Sequence, residues 1–224
     1  VGHLVRFAVP LLLGNLFQQL YNTVDLWVVG RYVSNAAYSA VGTVTPIINM
    51  LIGFFLGLSS GAGVVISQYY GAKKHEKVRE TVHTSLVMTL ILGVILTVLG
   101  ILIIPAMLRL MKTDLQAVPE ATTYLTIYFS GLLGLMLYNM GSGILRAVGD
   151  SNRPFYFLVI SALLNIALDL YFVIGVGMGV EGVAYATILA QGISAVLILF
   201  VLSRSEDCIR LTLSELKLSF HILC

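Results

Sequence analysis

The chain has 224 residues, 58% of them apolar and only 11% charged, against about 25% charged in soluble domains. Thirteen Lys and Arg face eleven Asp and Glu, for a formal net charge of +2. This balance excludes a basic nucleic-acid binder, an acidic disordered tail and a solvated enzyme domain, and points to an integral membrane protein whose first partner is the lipid bilayer.

A hydrocarbon core of about 30 Å takes roughly 20 apolar residues of helix. Six stretches meet that length, at about 4–29, 40–70, 86–105, 121–145, 154–175 and 183–202. None alternates with period two, and all are too long for barrel strands, so backbone satisfaction in lipid requires helices. The expected fold class is therefore all-α membrane, a six-transmembrane-helix bundle over 1–203, with 204–224 a cytoplasmic tail or the start of a linker. The first stretch is too long, and too polar on one side, to be a cleaved signal peptide. Pro119 suits the opening turn of the fourth helix, and Gly175-Val-Gly-Met-Gly179 reads as a tight hairpin between the fifth and sixth. Cys208 and Cys224 both follow the last stretch, so they build no disulfide framework.

Orientation follows from Lys and Arg. Ten of the thirteen fall in the N-terminus, the second and fourth loops and the tail, and three in the other loops. Both termini are expected to be cytoplasmic.

Function must come from side chains that lipid would reject. An ionisable group inside a span is costly and marks a functional site by default. Two lie well inside: Asp25 in the first span and Asp169 in the fifth. Asn15, Gln18, Gln19 and Asn22 recur at i, i+3, i+4 and i+7, one face of a helix, and Asp25 extends that stripe. Interhelical hydrogen bonding would explain the amides alone; the carboxylate on the same stripe favours a wet cavity or ion path. Asn165 and Asp169 form an i, i+4 pair. Counting from the helix ends at about 1.5 Å per residue, Asp25, Asp169 and Thr187 each lie roughly 7–9 Å below the same outer surface, with Tyr124 slightly higher. Two carboxylates in one such layer cannot both be ionised and unpaired. Protons, a bound cation or both in alternation must neutralise them, and carboxylate, amide and hydroxyl oxygens suit a hard cation. Such exchange is the working part of an antiporter. Pro10, and likewise Pro46, is either a tolerated membrane proline or a bend. Gly53, Gly57 and Gly61 read as a smooth ridge for close helix packing.

These stretches resemble the multidrug and toxic compound extrusion (MATE) transporters. The matching residues are Pro10-Leu-Leu-Leu-Gly-Asn15, Gln18-Gln-Leu-Tyr-Asn-Thr-Val-Asp25-Leu-Trp-Val-Val-Gly30, Gly57-Leu-Ser-Ser-Gly61, and Ser67-Gln-Tyr-Tyr-Gly-Ala72. Leu145-Arg-Ala-Val-Gly-Asp150 with Pro154, Asn165-Ile-Ala-Leu-Asp169 and Gly182-Val-Ala-Tyr-Ala-Thr187 follow in family order. The resemblance implies a plasma (inner) membrane antiporter of two six-helix lobes, exchanging protons or sodium for small organic, often cationic compounds. It implies a proton or cation site at Asp25, Asn165, Asp169 and Thr187, where sodium would bind. It further implies a substrate cavity at Asn15, Gln18, Asn22 and Tyr124, a helix bend at Pro10, and no cofactor beyond the coupling ion. Six spans in place of twelve imply the N-terminal lobe, as a fragment or a truncated gene product, with a C-terminal six-helix lobe as its partner.

Three other readings stand beside it. A lipid-linked oligosaccharide flippase of the same broad superfamily should line its cavity with arginines, and the spans here are acidic, with Arg6 and Arg146 near the membrane edges. A truncated lobe that does not transport is the second. An enzyme is the third: the glycine-aspartate signature of intramembrane aspartyl proteases is missing at Asp25 and Asp169, no metalloprotease helix signature is present, and His3, His75, His83 and His221 are scattered. The orientation is directly testable: reagents confined outside the cell should leave the Lys73–Lys77 loop unlabelled, and labelling from outside would reverse the assignment.

Overall fold

A computed structural model describes residues 2–205 and 208–211; within them, the side chains of 2–8, 11 and 15 lie outside the description. Most of the tail, including Cys224, falls outside the described residues.

Helix α1 (Gly2–Tyr32) runs through Pro10 without interruption. Ser34 then caps α2 (Asn35–Gly71), its hydroxyl accepting from the Ala37 N–H at 3.0 Å, which satisfies one of the orphan donors of a helix start. Lys73, at φ +56°, turns the chain into α3 (His75–Leu110). The next span is two helices, α4 (Val118–Ser130, with Pro119 in its first turn) and α5 (Leu132–Ala147), bent by 48° at Gly131. Gly149 takes φ +92° in the turn to α6 (Asn152–Leu170), a conformation glycine reaches without strain. A π-type turn, Tyr171–Gly175, extends α6 before Gly177 at φ +78° leads into α7 (Val180–Ser203).

By length and apolarity, α2, α3, α6 with its π-type turn, and α7 each qualify as spans, as does the bent α4–α5 pair. α1 has the length, at 31 residues, but its polar stripe dilutes its hydropathy. The described residues thus form an all-helical bundle in which five spans qualify by length and apolarity and α1 is a sixth long helix, with α5 and α7 at its centre.

Two apolar clusters form the core. One gathers Val28, Val44, Phe55, Leu125, Phe129 and Val183 towards the end where α1 stops; the other gathers Ile66, Val82, Ile144, Ile198 and Leu202 towards the end where α1 begins. Small residues set how closely helices cross. A Cβ at Gly131 would overlap the Ile188 side chain, and one at Gly143 would overlap the Ser59 hydroxyl and lie 3.0 Å from the Ser59 carbonyl oxygen. The Ser59 hydroxyl donates to the Asn139 carbonyl at 2.7 Å, pinning α2 to α5.

Three features differ from the sequence-based expectation. α3 starts at His75, eleven residues before the expected span, and buries Thr81, His83, Thr84 and Ser85. Its hydroxyls are satisfied locally, Thr81 donating to Lys77 O and Thr89 to Ser85 O at 2.7 Å each, which lets polar residues enter the bundle at low cost. The fourth span is broken at Gly131, not continuous. The Gly53, Gly57 and Gly61 ridge does not pack closely within this chain: a Cβ at any of them would meet nothing within 4 Å.

The contrast between glycines predicts opposite substitutions. Gly143→Ala should destabilise the bundle by about 1–3 kcal/mol, the usual cost of overpacking, read as a lower melting temperature in detergent. Gly57→Ala should leave it unchanged or raise it, since alanine is the better helix former. Equal losses at both positions would contradict this packing.

Candidate cation site

Asp25 sits five residues before Gly30 near the end of α1, and Asp169 at the last regular turn of α6. The two helices pack side by side, and the carboxyl groups come within hydrogen-bonding reach of each other. Both are buried, Asp25 4% exposed and Asp169 fully enclosed. α7 supplies Thr187 between them. Its Oγ1 lies 3.0 Å from the Val183 carbonyl and 3.5 Å from Asp25 Oδ2, so its single hydrogen serves one or the other. Asn165, one turn before Asp169, donates from Nδ2 to Thr187 Oγ1 at 3.4 Å. Three helices thus bring all four residues into one layer.

The layer is rich in acceptors and poor in donors. Among the described residues, no hydrogen-bond donor reaches Asp25 Oδ1, either oxygen of Asp169, or Asn165 Oδ1. Among the described residues neither acid has a Lys or Arg partner; Lys77–Glu80 at 2.9 Å and Arg153–Asp150 at 3.2 Å pair instead at the N-terminal face. Buried charge without a partner is strongly disfavoured, so the layer needs positive charge from outside the protein. Its donor set is two carboxylates, an amide oxygen and a hydroxyl, the hard oxygens that suit a proton or an alkali cation.

The remaining predicted residues fall into two neighbouring spaces. Asn22 and Tyr124 line the small pocket that contains Asp25, with Thr45 and Asn49 of α2 opposite. Gln18 and Pro10 line a longer cleft between α1, α5, α6 and α7, which also touches Asn165 and Thr187. Gln19, on the expected polar stripe, is exposed. Asn15 lies in α1, and its side chain is outside the described set.

A second shell was not read from the sequence. Tyr124 stacks on Tyr128 at 6.3 Å between ring centroids and 14° between planes. Tyr21 and Gln191 join them, Gln191 lying against both Tyr21 and Tyr128, although neither Tyr128 Oη nor Gln191 Nε2 has a partner of good geometry among the described residues. Each of these is one helical turn from a predicted residue: Tyr21 from Asp25, Tyr128 from Tyr124, Gln191 from Thr187. Scanning i±4 from each buried polar residue would have found them.

Comparison with known proteins places this geometry. The MatE family model matches residues 10–171, which include Asp25, Asn165 and Asp169 but not Thr187. A Bacillus subtilis protein named probable multidrug resistance protein YoeA is 37% identical over 204 residues, covering 89% of this chain and 44% of its own length. A second from the same organism, probable multidrug resistance protein YpnP, is 34% identical over 191 residues, covering 85% and 43%. A crystal structure described as MATE in the bent conformation superposes with a TM-score of 0.91 at 32% identity, covering 99% of this chain and 49% of that one. The chain spans about half the length of the curated relatives it matches.

Proposed function

The chain belongs to the MatE family, and on that footing we propose that it is the N-terminal lobe of a cation-coupled multidrug antiporter, exporting small organic, often cationic compounds across the plasma (inner) membrane. Its two termini lie on the cytoplasmic side, and a second six-helix lobe completes the substrate path.

The observation that carries this reading is the enclosed Asp25–Asp169 pair with its unpartnered oxygens. A buried site with more acceptors than donors is stabilised by a positive ion and strained without one. Binding a proton or a sodium ion therefore stabilises one arrangement of α1, α6 and α7, and release favours another. That differential is what couples an ion to a conformational cycle. In this scheme Asp25 and Asp169 hold the ion, Asn165 and Thr187 complete its oxygen shell, and Asn15, Gln18, Asn22 and Tyr124 face the substrate. Pro10, with no N–H to give to its helix, is the point at which α1 bends. Sodium or protons are the cargo of the site, not a resident cofactor. A lipid-linked sugar flippase needs a cavity ringed by arginine; the cleft here has a single one among its described lining residues, Arg146, at its far end.

In the two-lobe transporter, Asp25→Asn should bring drug resistance of the host down to that of the empty vector at equal expression. Retained resistance would refute the role of Asp25. In the purified protein, adding the coupling ion should raise the melting temperature, by about 2.7 kcal/mol of stability at a hundredfold excess over the dissociation constant. Asp169→Asn should abolish that response, and an unchanged response would remove Asp169 from the site.

A further inference from the structure

The cleft beside the acid pair is lined by polar as well as apolar side chains. At the N-terminal face its residues are Pro10 on α1, Arg146 on α5, and Ser151 and Pro154 at the start of α6; at its inner end they are Tyr21, Leu135, Asn165 and Thr187. On α1, α5 and α6 alike these limits are eleven residues apart, so the cleft runs about 16 Å along the bundle. The space within it that water can occupy is about 90 Å³, several times the roughly 10–15 Å³ that one water needs. Thr187 and Tyr21 line both this cleft and the Asp25 pocket, and form the partition between them.

Polar groups recur at each turn along that length. Ser194 donates to the Phe157 carbonyl at 3.3 Å and Ser161 to the Ala190 carbonyl at 3.0 Å, which leaves both hydroxyl oxygens free to accept. Beyond them stand Asn139, Gln18 and Gln191. Two of the lining side chains are nine-tenths buried or more and lack a partner at one atom, Gln191 at Nε2 and Asn165 at Oδ1. A buried donor and a buried acceptor left open in a roomy polar cleft are what ordered water satisfies. Among the described lining residues the one formal charge is Arg146, at the mouth. It is partly buried and, among the described residues, has no carboxylate at ion-pair distance; Asp150 pairs with Arg153.

We infer that this cleft is a water-filled access path joining the acid pair to the N-terminal face through the lobe itself, with Arg146 as its cation-excluding mouth. The inference rests on the proposed role of Asp25 and Asp169 and adds the route by which they exchange protons. A fixed positive charge at the mouth opposes a metal ion or an organic cation, which must carry its whole charge past it. Deprotonation through water is left open, because hydroxide arriving is equivalent to a proton leaving; only O–H bonds are exchanged. Drug and proton then travel by different routes, the drug past Asn22 and Tyr124 and the proton past Gln191 and Ser194; Gln18, assigned to the substrate by the resemblance, lines the proton route instead.

The test is thiol accessibility in the full chain carrying Cys208→Ser and Cys224→Ser, reconstituted in vesicles. Single cysteines are placed by Ser161→Cys, Gln191→Cys and Ser194→Cys, with Leu163→Cys, 60% exposed on the outside of the bundle, as the lipid-facing control. Two methanethiosulfonates of similar size are used, one sulfonate and one trimethylammonium, each added at the N-terminal face. The cleft positions should react about tenfold or more faster than Leu163→Cys, and faster with the anionic reagent by about tenfold, the range a single fixed charge supplies in a narrow cleft. Arg146→Gln should remove the charge preference and keep the reactivity. Cleft positions as slow as Leu163→Cys, or reactive only from the opposite face, would overturn the path; a charge preference that survives Arg146→Gln would overturn the role of Arg146. Using three positions guards against one substitution that fails to fold. Labelling does not depend on ion coupling: if Asp25→Asn left ion responses intact while the cleft labelled as described, the coupling reading would fail and the path would stand.

Discussion

Two carboxylates drawn from helices 144 positions apart in sequence, and held in contact away from lipid and bulk water, impose a demand on the rest of the fold. Like charges at that separation repel in any medium, and burial strips away the water that would otherwise screen them. The bundle meets the demand with oxygens, not cations: Asn165 and Thr187 complete an acceptor-rich shell and leave the positive charge to come from solution. A structural ion pair would have used a lysine or arginine and fixed the arrangement permanently. Leaving the charge exchangeable makes the arrangement conditional.

The architecture can be read as support for that conditional layer. Apolar clusters lie towards either end of the bundle, and close crossings at Gly131 and Gly143 bring α4, α5, α7 and α2 together around the space that α1 and α6 complete. The break at Gly131 matters here, because it sets the direction of α4 and so places Tyr124 and Tyr128 beside Asp25. α1 carries the polar stripe and is the least hydropathic of the spans. Its interior contacts, chiefly with α6, offset what its apolarity alone would not supply.

Much of the site was legible because charge inside a span is expensive, so Asp25 and Asp169 stood out without any structure. Helical spacing then paired Asn165 with Asp169, and depth brought in Thr187 and Tyr124. The structure brings these residues together; the role assigned to them is a proposal. The second shell was not legible, because Tyr21, Tyr128 and Gln191 are ordinary residues for a membrane helix and acquire meaning only from what lies one turn away. The early start of α3 was hidden by Thr81, His83, Thr84 and Ser85, which look like loop residues until the local hydrogen bonds of Thr81 and His83 to the helix backbone are seen. Gly131 gave no signal, since a lone glycine in a span is common. The ridge of Gly53, Gly57 and Gly61 misled in the other direction: its spacing fits close packing, but within this chain nothing packs there.

The central claim is that Asp25 and Asp169 face each other across an enclosed site. The most direct measurement is cross-linking of the double variant Asp25→Cys/Asp169→Cys in a chain lacking Cys208 and Cys224, with a protease site cut between α1 and α6 so that bridged halves stay together on a denaturing gel. Rapid bridging by mild oxidant or by cadmium is expected, and none when the second cysteine replaces Leu163 instead of Asp169, so that those halves separate. Halves of the Asp25→Cys/Asp169→Cys variant that separate under both treatments, in protein shown to be folded, would contradict the claim.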